Sequence, residues 1–271
     1  MKVFLFSIDL EEFYAERADF RRTALPELTE RYLEFLRRHK MKATFFVVGE
    51  IAAQHPALIR AIAAEGHELA CHTHTHVPLD QRDAASLRDD LRRNLDVLGN
   101  VASGPIKGFR APILSLGEKA RWAYEVLASL GFGYSSSVLP ARNPLHGWPG
   151  FGHAPRRMDG ILEIPVTLGR FFGMEVPVGA GTYFRCLPFG SIRRQFERLA
   201  VQGRAIVGYF HPYDLDVAQE RVMSRGVGRS RVLNALLYFN RAQTLARLES
   251  ILAGGFGIVP YCEYISTLPH A

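Results

Sequence analysis

The chain has 271 residues and a formal net charge of +6 at pH 7, and 48% of its residues are hydrophobic. A chain of this size and composition can bury a full core without disulfide bonds, and its three cysteines, with no C-x-x-C pair, indicate reduced thiols. The basic residues are scattered among acidic ones and form no nucleic-acid recognition motif, so nucleic-acid binding is not expected. Short basic pairs such as Arg37-Arg38 are interpreted either as solvated helix faces or as attraction to an anionic partner, such as a lipid-phosphate or nucleotide-linked sugar.

The first residues predict a buried strand rather than a signal peptide. The apolar run in residues 2–8 is short, Asp9 and Glu11 follow at once, and there is no small-residue cleavage site. No apolar run reaches the roughly 18–20 residues that a membrane-spanning helix needs. These features predict a cytoplasmic protein without a transmembrane segment.

Apolar periodicity alternates between strand and helix along the chain, which predicts a parallel sheet covered by helices. So many alternations within one chain of this length favour a distorted TIM-like (β/α)7–8 barrel that forms a single domain over residues 1–271. The predicted strands cover residues 2–9, 43–48, 67–72, 106–110, 132–138, 161–166, 205–211 and 256–261. The predicted helices cover residues 25–39, 55–65, 117–130, 191–202 and 241–253, with a further helix from Asp83 to Leu98.

Unusual polar residues stand at the carboxyl ends of several predicted strands. In a β/α barrel these ends share one face, which carries the active site, and core packing alone gives no reason for such a pattern. The residues are Asp9, Glu11, His72, His76, Arg110 and His211.

His72 and His76 lie in the stretch Cys-His-Thr-His-Thr-His. Their i, i+4 spacing predicts two imidazoles on one side of a helical turn, with His74 pointing elsewhere. Two imidazoles and one carboxylate from the first strand would leave open metal positions for water and substrate. The alternative is a solvated polar turn without a metal.

Asp9 and Glu11 are alternate residues and therefore share one side of a strand, where one can bind a metal while the other takes a proton. A helix cap or exposed acids at a loop start would give the same pattern. His211 after an apolar strand is either structural or functional, and the nearby Asp214 can orient its ring. Arg110 is either a surface arginine or the partner of a carboxylate in a bidentate ion pair.

Two segments rich in Pro and Gly, residues 139–160 and 169–190, are predicted to be long loops. Long loops in a compact barrel commonly build binding sites. Trp148, Tyr183 and Arg185 lie in these segments and are candidates for contact with sugar rings, with packing inside the loops as the alternative.

In the order of these motifs, residues 1 to about 214 resemble the polysaccharide deacetylases with a NodB-homology domain, carbohydrate esterase family 4. The segments 179–185 and 210–214 are similar to a subgroup associated with exopolysaccharide and O-antigen synthesis. The motifs that carry the resemblance are Ser7-Ile8-Asp9-Leu10-Glu11 in place of T-F-D-D, His72-x-x-x-His76, Arg110-Ala111-Pro112, and His211 in Tyr209-Phe210-His211-Pro212.

The resemblance implies a metal-dependent hydrolase that removes an N-acetyl or other small N-acyl group from a sugar. It implies Asp9 as the general base, His211 as the general acid, Arg110 as the residue that orients the base, and a backbone N–H near Ile113 as an oxyanion donor. The metal ligands, usually for zinc, would be His72 and His76.

Two positions depart from the family pattern. The family's second aspartate, a metal ligand, falls on Leu10, so this role is assigned to Glu11. The aspartate that tunes the acid histidine is replaced by the Tyr-Ser-Ser-Ser stretch at residues 134–137, and Asp214 is its expected substitute.

The expected substrate is an N-acylated sugar in a polysaccharide or in a lipid- or nucleotide-linked precursor. The absence of a recognisable signal peptide favours the precursor. Two other functions stay open: a cyclic imide or ureide hydrolase on the same barrel, which in some relatives needs no metal, and a carbohydrate-binding relative that has lost catalysis. The oligomeric state is not readable from the sequence.

Overall fold

The structure is a computed structural model that describes residues 2–13, 24–102, 104–142, 146–171, 173–224 and 230–268. The alternation of strands and helices confirms the predicted α/β class. The strands are β1 (Lys2–Leu10), β2 (Thr44–Val47), β3 (Glu68–Cys71), β4 (Gly108–Phe109), β5 (Tyr134–Ser135), β6 (Arg156–Met158), β7 (Ile161–Glu163), β8 (Leu168–Phe171), β9 (Met174–Pro177), β10 (Ile206–Phe210) and β11 (Phe256–Ile258). The helices are α1 (Leu25–Arg38), α2 (Gly49–Gln54), α3 (Pro56–Ala64), α4 (Ala84–Gly99), α5 (Ala123–Ser129), α6 (Gly181–Cys186), α7 (Phe189–Val201), α8 (Arg231–Tyr238), α9 (Thr244–Ala253) and α10 (Tyr261–Ser266).

One nine-stranded sheet contains β1 to β7 together with β10 and β11, in the order β10-β1-β2-β3-β4-β5-β7-β6, with β11 also paired to β1. Neighbours in this sheet run parallel, and β6 is antiparallel to β7. Strand β1 pairs with three strands, β2, β10 and β11, and side chains on both of its faces, such as Leu5 and Phe6, are fully buried. A continuous apolar run is expected for a parallel strand that is covered on both sides.

The two ends of the sheet approach each other and complete a distorted barrel, as predicted. After β7, the Thr167 N–H donates to the Val207 carbonyl at 3.1 Å, and the Val207 N–H donates to the Thr167 hydroxyl at 2.8 Å. Further along, Ala180 forms a parallel bridge with Tyr209. The closure therefore uses a short segment rather than a fully paired strand, which explains why the barrel is distorted.

The apolar stripe predicted for the first helix is correct, since Leu28, Tyr32, Phe35 and Leu36 of α1 are all buried. Among the described helices, none combines the length and the apolar character that crossing a bilayer requires.

Several predicted boundaries were wrong. Both predicted loops contain secondary structure: β6 lies in the first, and the hairpin β8–β9 with helix α6 lies in the second. These elements are only three to six residues long and stand among Pro and Gly, so their periodicity is too short to read. The helix predicted at residues 55–65 is preceded by α2, and α3 begins at Pro56, whose lack of an N–H suits a first helical position.

Strand register places the polar residues predicted for the site along one edge. Asp9 is paired in register with Phe46, Ile8 with Phe210, and Cys71 with Phe109. The residues that follow these positions therefore leave neighbouring strands at the same end of the barrel.

We predict that Gly208→Ala lowers the free energy of unfolding by about 1–3 kcal/mol, because the added methyl group has no room. A Cβ at Gly208 would lie 2.5 Å from the Gly179 carbonyl oxygen and 2.9 Å from the Phe4 ring. Urea unfolding measures the change. The control is Gly190→Ala in α7, where the nearest group is the Arg194 guanidinium at 3.8 Å. Equal unfolding midpoints for Gly208→Ala and wild type would contradict this close approach.

Candidate active site

Glu11, His72 and His76 converge at the carboxyl ends of β1 and β3. One ligand atom from each lies within 4.8 Å of the other two, and all three residues are buried. Glu11 Oε2 is 3.4 Å from His72 Nε2 and is in direct contact with His76 Nε2. Two ligands that each lie about 2.0–2.2 Å from a tetrahedral zinc are about 3.3–3.6 Å apart, so the Glu11–His72 spacing suits such an ion.

The His72 ring is oriented by the backbone. Its Nδ1 lies 2.8 Å from the Arg110 carbonyl oxygen. Because a carbonyl only accepts, Nδ1 carries the hydrogen, and Nε2, which faces Glu11, is the nitrogen left to bind a metal. This is the usual way in which a histidine ligand is held for metal binding.

The segment between the two histidines is not the predicted helical turn. Thr73 and His76 have positive φ values of 60° and 54°, so the chain curls through left-handed conformations. Helix α4 holds this loop from below: Asp90 accepts from the His74 N–H at 2.5 Å, and the Asn94 side-chain amide donates to the Thr73 carbonyl at 2.5 Å. Hydrogen bonds from α4 therefore set the conformation of residues 73–76, and the i, i+4 spacing of the two histidines does not produce a helical turn.

Asp90 and Asn94 were missed by the sequence analysis. Both are buried on the same face of α4 as Leu87, Leu91 and Leu98. The available signal was two polar side chains at helical spacing within an apolar stripe.

Arg110 holds Asp9 in a buried ion pair. Its guanidinium donates to Asp9 Oδ1 at 2.5 Å and to the Ser7 hydroxyl at 2.7 Å, and it lies 4.0 Å from the centre of the Phe46 ring. Burial opposes the charge on Arg110, but the Asp9 carboxylate and the Tyr261 hydroxyl outweigh burial and raise the pKa of Arg110. Arg110 therefore fixes the position of one Asp9 oxygen.

The serines that replace the family's fourth-motif aspartate support Arg110. The Ser136 carbonyl accepts from Arg110 Nε at 2.8 Å, and its hydroxyl accepts from another guanidinium nitrogen at 3.1 Å. The Ser137 hydroxyl accepts from the Ala111 N–H at 2.8 Å.

His211 is held by Asp214 and faces Glu11. Asp214 Oδ2 accepts from the His211 backbone N–H at 2.8 Å and lies 3.2 Å from the ring Nδ1. The other ring nitrogen is 3.7 Å from Glu11 Oε1. The Tyr213 ring stacks on the imidazole with centroids 4.5 Å apart. Asp214 is thus in contact with both the backbone N–H and the ring of His211.

The charge of His211 and the charges of Glu11 and Asp214 shift one another's pKa values toward the ionised forms. Burial would lower the pKa of His211, but the hydrogen bond to Asp214 and the charge of Glu11 raise it above its ordinary value. Burial would raise the pKa of Glu11, but His76 and His72 hold it well below its usual range. Burial likewise acts against the Asp214 carboxylate, and Arg185 and His211 keep its pKa low.

Ile113 follows Arg110-Ala111-Pro112 in a strained conformation, with φ 46° and ψ 29°, and Leu114 also has a positive φ of 55°. A β-branched residue in this region costs on the order of 1–3 kcal/mol. Such strain commonly marks a functional segment, and the Ile113 side chain is exposed.

The three predicted sugar-contacting residues have different positions. Arg185 lies in helix α6, is fully buried, and donates to Asp214 Oδ1 at 2.7 Å, so its prediction as a sugar contact was wrong. Trp148 is buried and packs edge-on against Phe151 at 5.0 Å, which assigns it to the core. Tyr183 is partly exposed on α6 and remains a candidate.

We predict that His72→Ala and Glu11→Ala each reduce bound metal from about one ion per chain to a small fraction, because each removes one of three protein ligands. Elemental analysis of purified protein after zinc reconstitution measures this. His74→Ala is the matched control, since His74 lies between the two ligand histidines but outside the group. Full metal content in His72→Ala would exclude this ligand set.

We predict that Arg185→Ala destabilises the protein by about 3–5 kcal/mol, because it leaves the Asp214 carboxylate buried without its cation. Denaturant unfolding measures the loss. Tyr183→Phe on the same helix should change stability by less than about 1 kcal/mol. Wild-type stability in Arg185→Ala would show that the buried pair does not have this role.

Two family models match the chain in succession. "Polysaccharide deacetylase" matches residues 19–134, which include His72, His76 and Arg110, and "Domain of unknown function (DUF3473)" matches residues 136–257, which include His211 and Asp214. Asp9 and Glu11 precede the first match.

Curated relatives match over a limited stretch. A peptidoglycan-N-acetylglucosamine deacetylase from Bacillus cereus is 33% identical over 100 residues, 36% of this chain and 36% of the relative. A chitooligosaccharide deacetylase from Bradyrhizobium is 44% identical over 66 residues, 24% of this chain and 30% of the relative. The matched stretch thus spans about a third of the length of these relatives.

Solved structures extend the likeness to nearly the whole fold. A polysaccharide deacetylase described as putative, from Mycobacterium smegmatis, has a TM-score of 0.60 at 22% identity and covers 88% of this chain and 75% of its own. A family 4 carbohydrate esterase from Streptomyces lividans has a TM-score of 0.51 at 18% identity, with 95% and 91% covered. A CE4 family pseudoenzyme from Bacillus anthracis has a TM-score of 0.54 at 13% identity, with 97% and 64% covered. The family model and the curated relatives together show a polysaccharide deacetylase (NodB-homology, carbohydrate esterase family 4) domain in this chain over residues 19–134, and the solved structures show a shared fold.

Proposed function

We propose that the protein is a metal-dependent hydrolase that removes an N-acetyl or other small N-acyl group from a sugar. The observation that carries this proposal is the buried group of Glu11, His72 and His76 beside two separately held proton-transfer residues, Asp9 and His211. The activities named for the curated relatives, deacetylation of peptidoglycan and of chitooligosaccharides, support the same reaction class.

The donor set fits a zinc ion. Two imidazoles and one carboxylate form a ligand set that catalytic zinc sites use, and they leave a coordination position open. A bound zinc would polarise the amide carbonyl and lower the pKa of a bound water to about 7. Glu11 serves as a ligand in place of the family's aspartate, and its low pKa keeps the carboxylate ionised.

Asp9 is proposed as the base that takes a proton from the attacking water. Arg110 holds one Asp9 oxygen at 2.5 Å and fixes its direction, so the carboxylate needs no reorganisation when the proton arrives. This arrangement separates the base from the metal ligand Glu11.

His211 is proposed as the acid that protonates the leaving amine. Its raised pKa favours the protonated form, and Asp214 stabilises that charge. The backbone N–H near Ile113 is proposed to stabilise the developing oxyanion. The strained backbone at Ile113 supports this, because such strain commonly occurs at functional sites.

The proposed substrate is an N-acetylated sugar of a surface polysaccharide, or its lipid- or nucleotide-linked precursor in exopolysaccharide or O-antigen synthesis. We propose a cytoplasmic location, which the free thiols of Cys71, Cys186 and Cys262 support, because thiols persist in a reducing compartment. Tyr183 is retained as a candidate sugar contact. The chain is proposed to act as one domain, because its first part supplies the ligands and base while its second part supplies His211 and Asp214.

We predict that Asp9→Asn and His211→Ala each lower kcat by about 10²- to 10⁴-fold, because each removes one proton-transfer group, while about one metal ion per chain is retained. The assay is acetate release from N-acetylated chitooligosaccharides, with metal content measured on the same samples. Cys186→Ser is a control for a substitution outside the proposed site.

Loss of metal in Asp9→Asn, together with retention in Glu11→Ala, would reverse the roles assigned to these two carboxylates. A wild-type protein that binds metal and N-acetylated sugar without turnover would favour the carbohydrate-binding alternative. Opening of cyclic imides without a metal would favour the imide hydrolase.

A further inference from the structure

An unusual apolar surface lies on helix α8. Across the described ranges, the large apolar side chains left exposed are Ile113, Met174, Val201, Val217, Val232, Leu233, Leu236 and Phe239, and the last four fall within eight consecutive residues. Val232 is 72% exposed, Leu233 51%, Leu236 38% and Phe239 54%. We call these four side chains the α8 apolar face.

The helix that carries this face is firmly attached to the protein. Ser230 caps its first turn by accepting from the Leu233 N–H. On the opposite side, Tyr238 is buried against Phe13 and Val222, and its hydroxyl donates to the Val222 carbonyl at 2.9 Å. The outward direction of the α8 apolar face therefore follows from how α8 is packed. Clustered exposed apolar residues commonly mark an interaction surface.

The sequence around this face is rich in arginine. Residues 221–248 contain six arginines, of which Arg241 is buried, and neither aspartate nor glutamate, while Glu220 and Glu249 lie directly outside this range. Arg231, the first residue of α8, and Arg221, which precedes the helix, are exposed. An amphipathic helix with apolar side chains outward and cations at its borders suits an anionic lipid surface, where apolar burial and charge attraction act together. Contact with a second copy of this chain would instead bring like charges together.

We propose that the α8 apolar face docks onto an anionic lipid bilayer. The apolar side chains would enter the interfacial region, and Arg221 and Arg231 would contact lipid phosphates. The helix would lie along the membrane surface without crossing it.

The same helix borders the candidate active site. Arg185, which holds Asp214, also donates to the carbonyl oxygens of Phe239 at 2.5 Å and Leu237 at 3.2 Å. On its other side, Phe13 packs against Tyr238 and stands two residues after Glu11. Docking would therefore hold the site close to the bilayer, where a lipid-linked N-acyl sugar lies. This choice of substrate rests on the proposed function, whereas docking itself does not.

Vesicle co-sedimentation of the full chain tests the proposal, with phosphatidylcholine vesicles that contain either no anionic lipid or about 30% phosphatidylglycerol. We expect the dissociation constant to be about tenfold lower or more for the anionic vesicles, and about 0.5 M NaCl to remove most of this preference. The triple variant Val232→Ser, Leu233→Ser, Leu236→Ser should weaken anionic binding by about tenfold or more.

Two matched controls separate this surface from general effects. Val201→Ser removes a side chain that is 85% exposed on α7, and it should bind like wild type. Arg231→Gln should reduce the preference for anionic vesicles, whereas Arg121→Gln, an exposed arginine elsewhere, should not. Thermal unfolding of each variant checks that the fold is retained.

Equal binding of wild type and the triple variant, or no vesicle binding by wild type, would overturn the proposal. A dimer of wild type that the triple variant converts to a monomer would overturn it too, because a second copy would then cover the face. Acetate release from soluble chitooligosaccharides, measured in parallel, should be unchanged in the triple variant. If wild type binds vesicles but releases no acetate, the proposed deacetylase activity is rejected and membrane docking stands. If it releases acetate but does not bind vesicles, docking is rejected and the deacetylase activity stands.

Discussion

Arg110 is fully buried, and both its side chain and its backbone hold parts of the candidate site. Its guanidinium fixes Asp9, while its carbonyl oxygen fixes the ring of His72. An unpaired cation in this position would be very costly, so its environment must supply acceptors from several elements. These acceptors include Ser7 of β1 and Ser136 after β5. The barrel and the site therefore depend on each other through one residue.

A second buried ion pair plays the corresponding part for the later half of the chain. Arg185 and Asp214 are both fully buried, and Asp214 sets the direction of His211. The strands that carry the two halves lie side by side, since β1 pairs with β10 in parallel register. Although the family models divide the chain near residue 135, the candidate site combines residues of both matched segments with Asp9 and Glu11, which precede the first.

Residues of the same type in similar sequence settings have different roles according to whether they are exposed or buried. Arg185 and Arg231 are both arginines in short helices, yet the first is fully buried against a carboxylate and the second faces solvent beside exposed apolar side chains. The first consequently positions groups within the protein, whereas the second is available to an external partner. Helix α8 connects these two environments, because its outward face is apolar and its last carbonyls hold Arg185.

Sequence periodicity alone identified the α/β class, the buried first strand and the polar residues at strand ends, because long regular segments carry a readable pattern. It also gathered the candidate ligands, since parallel strands present their carboxyl ends on one face. Only tertiary structure decided the shape of the His72–His76 loop, where Asp90 and Asn94 impose left-handed backbone conformations that spacing does not reveal. Tertiary structure also determines that Arg185 forms a buried ion pair with Asp214 and that α8 exposes its apolar side chains to solvent. Burial and long-range hydrogen bonding arise between elements distant in sequence, and local patterns do not encode which partner a side chain meets.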